Sequence, residues 1–241
     1  MRPALILAVV VFIITLLVRL PARVLLRLLP ADVSCAEPSG TVWSGACGEL
    51  RAGDFAVSGL SWTLHPGALL RLHVAADLAS QDPRANGHAQ VELALNGDLA
   101  ITALAANLAI PSGSGLFPTG SSGSVQLAVD SARIEDGHLV AVQGKIDLQQ
   151  LHIENPPADL GSFELQFAPP SQGSVMMGQL RDLNGPLSVI GVLQLTRAGS
   201  YDFEGSVAPR PGASADLTQL LQLLGPPDAQ NRRAFSLAGS L

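Results

Sequence analysis

Apolar positions along this chain follow two different rules. Residues 4–18 (ALILAVVVFIITLLV) form one uncharged apolar run between Arg2 and Arg19. From residue 40 onward the apolar period is two, the repeat of a strand with one covered face. Leu60, Trp62 and Leu64 alternate, as do Leu70, Leu72, Val74 and Ala76, and then Val91, Leu93 and Leu95. Asn96-Gly97 follows, a pair that accepts positive φ at both turn positions and marks a hairpin. Leu99 and Ile101 start the return strand, and Leu104, Leu108 and Ile110 read as a further strand.

Residues 111–124 (PSGSGLFPTGSSGS) are rich in Gly, Ser and Pro and predict a flexible loop or subdomain boundary. Alternation resumes at Val125, Leu127 and Val129, turns at Glu135-Asp136-Gly137-His138, and continues through Val140, Val142, Ile146 and Leu148. Three later runs follow Phe163/Leu165/Phe167, Leu187/Val189/Leu193/Leu195 and Tyr201/Phe203/Val207, and a last one holds Phe235 and Leu237. One helix interrupts them: Leu217, Leu220, Leu221 and Leu224 have helical spacing, Ser214 or Asp216 can cap it, and Gly225-Pro226-Pro227 stops it. A Gly-x-apolar-x-apolar pattern recurs from Gly123, Gly144 and Gly191, with shorter forms at Gly205 and Gly239. It reads as a long antiparallel meander in which each Gly opens a strand. The predicted class is mainly β: one N-terminal transmembrane helix, then a twisted, curved antiparallel sheet with one short helix near the C-terminus.

Charge sharpens this division. Arg2, Arg19, Arg23 and Arg27 are the only charged residues in the first thirty, and the remainder holds ten basic and twenty acidic residues, a net of −10. An acidic body without a basic stripe excludes nucleic acid as an expected partner. Fifteen apolar residues span roughly 22 Å as a helix, short of the ~30 Å hydrocarbon core, and flanking arginines can snorkel to make up part of the difference. A cleaved signal peptide would need small residues just after the run, where Arg19-Leu20-Pro21-Ala22-Arg23 stands instead. The division expected is therefore 1–30 as membrane anchor and 31–241 as a β-rich domain, with a subdomain boundary near 111–124.

Flanking charge and cysteine disagree about sides. Three arginines closely follow the run and only Arg2 and the amino terminus precede it, which favours a cytoplasmic body. Cys35 and Cys47 are the only two cysteines, and an even pair in an exported chain suggests a disulfide. Two unrelated buried thiols in a reducing cytosol are the alternative. The cysteine argument is preferred here and puts the body outside.

Chemistry is sparse. No nucleophile elbow, zincin motif, P-loop or dinucleotide fingerprint occurs. His65, His73, His88, His138 and His152 are scattered, and two cysteines without nearby histidine do not make a zinc site. No catalytic residue, cofactor or metal is expected. Trp43 and Trp62 are read as core packing near the cysteine pair, with surface anchoring to a partner as the alternative.

An ordered series of short motifs then carries a resemblance. Gly40-Thr-Val-Trp43-Ser-Gly45 is followed by Leu60-x-Trp62-x-Leu64-x-Pro66. Next comes Leu183-x-Gly185-Pro186-Leu187-x-Val189-x-Gly191. The series closes with Gly199-x-Tyr201-x-Phe203-x-Gly205, then Pro209-Arg210, Leu224-Gly225-Pro226-x-Asp228 and Gly239-x-Leu241. Together they resemble the type II secretion system protein N family. The resemblance implies a non-enzymatic, single-pass protein of the bacterial inner membrane with its bulk in the periplasm. It implies platform proteins and the secretin as partners, and a fold akin to AsmA-like β-rich proteins. That last likeness raises a second possibility, a lipid-handling envelope module whose sheet cradles a lipid ligand. Two features depart from the family pattern: the Cys35 and Cys47 pair, and Asn231 where a Gly is usual.

Overall fold

The computed structural model describes residues 15, 18–26, 33–53, 55–110, 120–155, 157–169 and 175–240. They form two compact units, Met1–Leu95 and Asn96–Leu241. The predicted anchor, residues 4–18, lies outside the described residues except for Thr15 and Val18. Among the described residues no helix is long and apolar enough to cross a membrane.

In the first unit a short helix, α1 (Ala22–Leu26), precedes six strands: β1 (Val33–Ala36), β2 (Ser39–Gly40), β3 (Ser44–Ala52), β4 (Phe55–His65), β5 (His73–Asp82) and β6 (Ala85–Ala94). The ladder runs β1-β3-β4-β5-β6, all antiparallel, with β2 also on β3. Alternation in β4 works as predicted: Leu60, Trp62 and Leu64 share the face where Ala22, Cys47 and Trp62 are buried. Cys35 and Cys47 are bonded, their Cα atoms 5.8 Å apart. Trp62 donates its indole N–H to the Val42 carbonyl at 3.1 Å, so its polar edge is satisfied as its ring packs. Gly45 stands opposite Trp62 in the ladder, and a Cβ there would lie 2.6 Å from the Ser39 carbonyl oxygen and inside the indole.

The predicted strand through Leu70 and Leu72 is not one. Pro66–Arg71 is a 3-10 turn, Leu72 is left-handed at φ 62°, and β5 begins at His73. Pro66 presets φ for a helical first turn and has no N–H to give to a ladder, which favours the turn over a strand. Leu70 and Leu72 are consequently 89% and 67% exposed.

Asp82 closes the far end of β5. Its carboxylate accepts from the N–H of Arg84 (2.8 Å) and of Ser58 (2.9 Å), and these two bonds, Arg84 first, hold its pKa below the ordinary carboxylate range. A depressed folded pKa contributes stability that is present above the unfolded value near 3.9 and is lost as pH falls through the folded one. Carboxyl NMR is expected to show Asp82 titrating below a free aspartate. Asp82→Asn should abolish that titration and loosen the Ser58 amide.

The second unit carries β7 (Leu99–Ala109), β8 (Ser121–Glu135), β9 (His138–Glu154), β10 (Pro157–Phe167), β11 (Val175–Asp182), β12 (Leu187–Thr196), β13 (Ser200–Pro209) and β14 (Arg233–Ser240) in sequential antiparallel order, with α2 (Ala215–Gln222) between the last two. Gly97 takes φ +93° where the chain enters this unit. Asp136 and Gly137, both at positive φ, turn β8 into β9 as expected. Leu99 to Ala109 is one strand, not two: its register on β8 is the same on both sides of Ala103, which the ladder skips and which takes φ +51°. Residues 111–119 of the Gly/Ser-rich stretch lie outside the described set, and the stretch joins β7 to β8 within this unit.

Ser214 is the cap of α2. Its hydroxyl accepts from the Leu217 N–H at 3.2 Å, and Gly225 at φ +100° follows the helix. Leu217 and Leu221 are buried against Phe163, Leu187, Val189 and Val207, the centre of the unit's core.

Of the recurrent glycines, only Gly123, third in β8, stands near the start of a strand. Gly144, Gly191 and Gly205 sit in strand interiors, and Gly239 near the end of β14. Gly205 pairs with both Gly191 and Phe235, and Gly239 pairs with Tyr201. A Cβ at Gly205 would lie 2.7 Å from the Ile190 carbonyl oxygen and overlap the Phe235 ring, and one at Gly239 would lie 2.7 Å from Tyr201 Cζ. Gly205 and Gly239 therefore each make room for an aromatic ring lying across the adjacent strand. Gly205→Val is expected to cost about 3 kcal/mol, the upper end of ordinary overpacking, because backbone and ring would both have to move. Chemical denaturation of that variant beside Glu204→Val, an exposed position on the same strand, checks this.

Candidate functional site: an apolar groove on the second unit

One face of the second unit's strands holds a cavity of about 440 Å³. Period-two alternation builds it. Ile146 and Leu148 on β9 face it, with Phe163 and Leu165 on β10 and Leu180 on β11. On the later strands Leu193, Tyr201, Phe203 and Phe235 line it, with Leu221 of α2. The volume falls within the usual range for small-molecule sites. The wall is apolar throughout, so it offers no donor or acceptor to orient a polar substrate. Phe203 and Phe235 meet edge to face, centroids 5.4 Å apart, in the space vacated by Gly205 and Gly191.

Opposite the groove, the same strands carry charge. Asp147 and Glu164 face each other across β9 and β10, both buried. Like charges so placed repel, and each has its own cation: Lys145 lies 2.9 Å from Asp147, and Arg181 lies 2.5 Å from Glu164. The Asp147 carboxylate raises the pKa of Lys145. This charge-balanced cluster braces the sheet. Sequence reasoning missed it because the pairing depends on register, and no local motif marks 147 or 164.

The motif residues mostly serve turns and close approaches. Gly185 and Pro186 pack on the bulge at Gly161, where an added Cβ would lie 2.9 Å from both Gly185 Cα and Pro186 Cδ. Pro186 accepts from the Arg210 N–H at 2.9 Å, and the Arg210 guanidinium binds Asp182. Asp182 also accepts from the Val189 N–H at 2.8 Å, which ties the Pro209-Arg210 motif to the entry of β12. Gly225 accepts from Arg233 Nε at 3.0 Å. Asn231 adopts φ +58°, a left-handed position that Asn tolerates, so the turn keeps the conformation a Gly would supply there. That turn presents Arg232 across the sheet. Its guanidinium donates to Ser188 Oγ and Ser206 Oγ (3.2 and 2.8 Å) and to both their carbonyls (3.1 and 2.9 Å). Arg232 was not singled out by sequence, which carries no cue to a bond spanning three strands. Trp43, Gly45, Trp62 and Pro66 belong to the first unit, and Gly185, Gly191, Gly205 and Gly239 to the second.

Among the described residues no group of three His, Cys, Asp or Glu side chains could hold a metal ion. His65 pairs with Asp77 at 2.7 Å on the surface of the first unit.

Fold and groove together define a β-sheet module suited to apolar contact. A family model described as type II secretion system (T2SS), protein N matches residues 31–236, and the chain belongs to that family. Its relatives include proteins named type II secretion system protein N from three bacteria. The Aeromonas hydrophila protein is 26% identical over 240 residues, covering 94% of this chain and 93% of the relative. The protein from Vibrio cholerae serotype O1 is 25% identical with the same coverage. The Pectobacterium carotovorum subsp. carotovorum protein is 22% identical over 228 residues, covering 92% and 90%. No solved structure matches the chain significantly.

Proposed function

We propose that this chain is a non-enzymatic accessory subunit of the type II secretion machinery. Residues 4–18 hold it in the inner membrane, and its two β units stand in the periplasm and touch other secretion components. Family membership across residues 31–236 carries this reading. The apolar run flanked by arginine supports the anchoring, and the Cys35–Cys47 bond supports an oxidising side. β14 is an edge strand among the described residues, and its free N–H and C=O groups suit pairing with an extended partner segment. The test is affinity purification from solubilised membranes, probed for secretin and platform proteins. Recovery of either, with impaired export in a deletion strain, supports the role. Recovery of neither, with normal export, overturns it.

A second reading is favoured by the groove. A 440 Å³ wholly apolar cavity suits an acyl chain, so the protein would handle lipid in the envelope. Native mass spectrometry of the purified protein should show a bound lipid that Leu193→Arg removes. A ligand-free spectrum from gently extracted protein would count against it.

A further inference from the structure

Exposed apolar side chains of the first unit concentrate at one end of its sheet. Fourteen large apolar side chains are exposed among the described residues, and six of them (Val18, Leu69, Leu70, Leu72, Leu93 and Leu95) lie at or beside this end. The 3-10 turn Pro66–Arg71 follows the last residue of β4, and β6 ends opposite His73, where β5 begins. The N-terminal segment enters the fold at the same end. Val42 donates its N–H to the Leu20 carbonyl at 2.9 Å, Pro21 bridges Thr41, and Leu64 donates to the Trp43 carbonyl at 2.7 Å, two residues before Pro66. The exposed leucines and the exit of residues 4–18 thus share one end of the strands.

The turn and the N-terminal segment are basic, while acids stand nearby on the strands: Asp77 pairs with His65 just before the turn, and Glu92 adjoins Leu93. Residues 66–76 contain Arg71 and no acid, and residues 1–30 contain four arginines and no acid, although the body as a whole is acidic. Exposed leucines with Arg71 beside them, at the end where the arginine-flanked N-terminal segment enters, match an anionic lipid surface, where leucines enter the acyl boundary and guanidinium groups stay among phosphates. A soluble protein partner would have no reason to sit beside the chain's route into the bilayer.

We infer that the turn Pro66–Arg71, with Leu70 and Leu72 as its inserting side chains, is a second membrane contact. It dips into the bilayer that residues 4–18 enter and sets the first unit upright on that surface. The inference rests on the proposed anchoring, and the experiment separates the two.

The full chain is reconstituted in vesicles of phosphatidylethanolamine and phosphatidylglycerol with brominated acyl chains, Cys35–Cys47 kept oxidised. A single environment-sensitive fluorophore is attached through Leu70→Cys, Arg84→Cys or Val10→Cys. Leu70 is almost fully exposed, so its replacement leaves the fold intact, and Leu72→Cys provides an independent second reporter. Arg84 lies in the β5–β6 turn at the far end of strands about 30 Å long. The expected result is blue-shifted emission and at least twofold quenching at positions 70 and 72, strong quenching at 10, and none at 84. Quenching at 10 without quenching at 70 and 72 overturns the inference and leaves the anchor standing. Equal quenching at 70 and 84 overturns it too, since the unit would then lie flat. No quenching at any position defeats inference and anchor together.

Discussion

Leu217→Ala is expected to lower the stability of the second unit by about 4 kcal/mol, towards the upper end for a leucine truncated in a core. Leu217 is 1% exposed and sits where α2 meets the sheet, touching the cluster of Phe163, Leu187, Val189 and Val207. Its neighbours are strand residues fixed by ladders on both sides, so the cavity left behind cannot collapse easily. Leu223, just past the same helix, is 83% exposed, and its alanine variant should stay within about 0.5 kcal/mol of the parent. Urea unfolding followed by circular dichroism distinguishes them. Similar midpoints for the two variants would show that α2 is not seated on the sheet. The functional consequence follows from position: Leu221, one turn on, lines the groove, so a loosened helix also disturbs the groove's wall.

Loss of the Cys35–Cys47 bond has the second largest expected effect. Cross-linking residues twelve apart constrains the unfolded chain by roughly 3 kcal/mol on the loop-entropy model. A Cys35→Ala, Cys47→Ala double variant avoids placing a hydroxyl in the core at position 47, which is almost fully buried. That variant should unfold at the same denaturant concentration with or without reductant, whereas the parent should lose roughly 3 kcal/mol when reduced. Equal stability of parent and variant under oxidising conditions would mean that the bond contributes nothing. Because the bond joins β1 to β3, next to α1, its loss should first loosen the region where the N-terminal segment meets the body.

Period-two alternation was readable in the sequence wherever one face of a strand is covered, as at Leu60, Trp62 and Leu64, and the 3.6 spacing of Leu217, Leu220 and Leu221 marked the one substantial helix. Both patterns are local, and both report burial directly. Alternation misled at Leu70 and Leu72, where Pro66 had already committed the backbone to a 3-10 turn and the leucines face solvent. Glycine was misread for a related reason. A Gly in an alternating run can open a strand or make room for a ring, and the sequence does not say which. Only the register, with Phe235 against Gly205 and Tyr201 against Gly239, settles it. The groove and the Asp147–Glu164 cluster were illegible because each is assembled across several strands, and the register between them decides which side chains meet. Their components look like ordinary alternating residues one strand at a time.

The proposed role depends on which side of the membrane the body occupies, and flanking arginines and cysteines point opposite ways. Alkaline phosphatase fused behind Leu241, compared with a reporter active only in the cytosol at the same position, reads that side directly. An active phosphatase with a silent cytosolic reporter is predicted. The reverse pattern would place both β units in the cytosol and contradict the proposed periplasmic contacts.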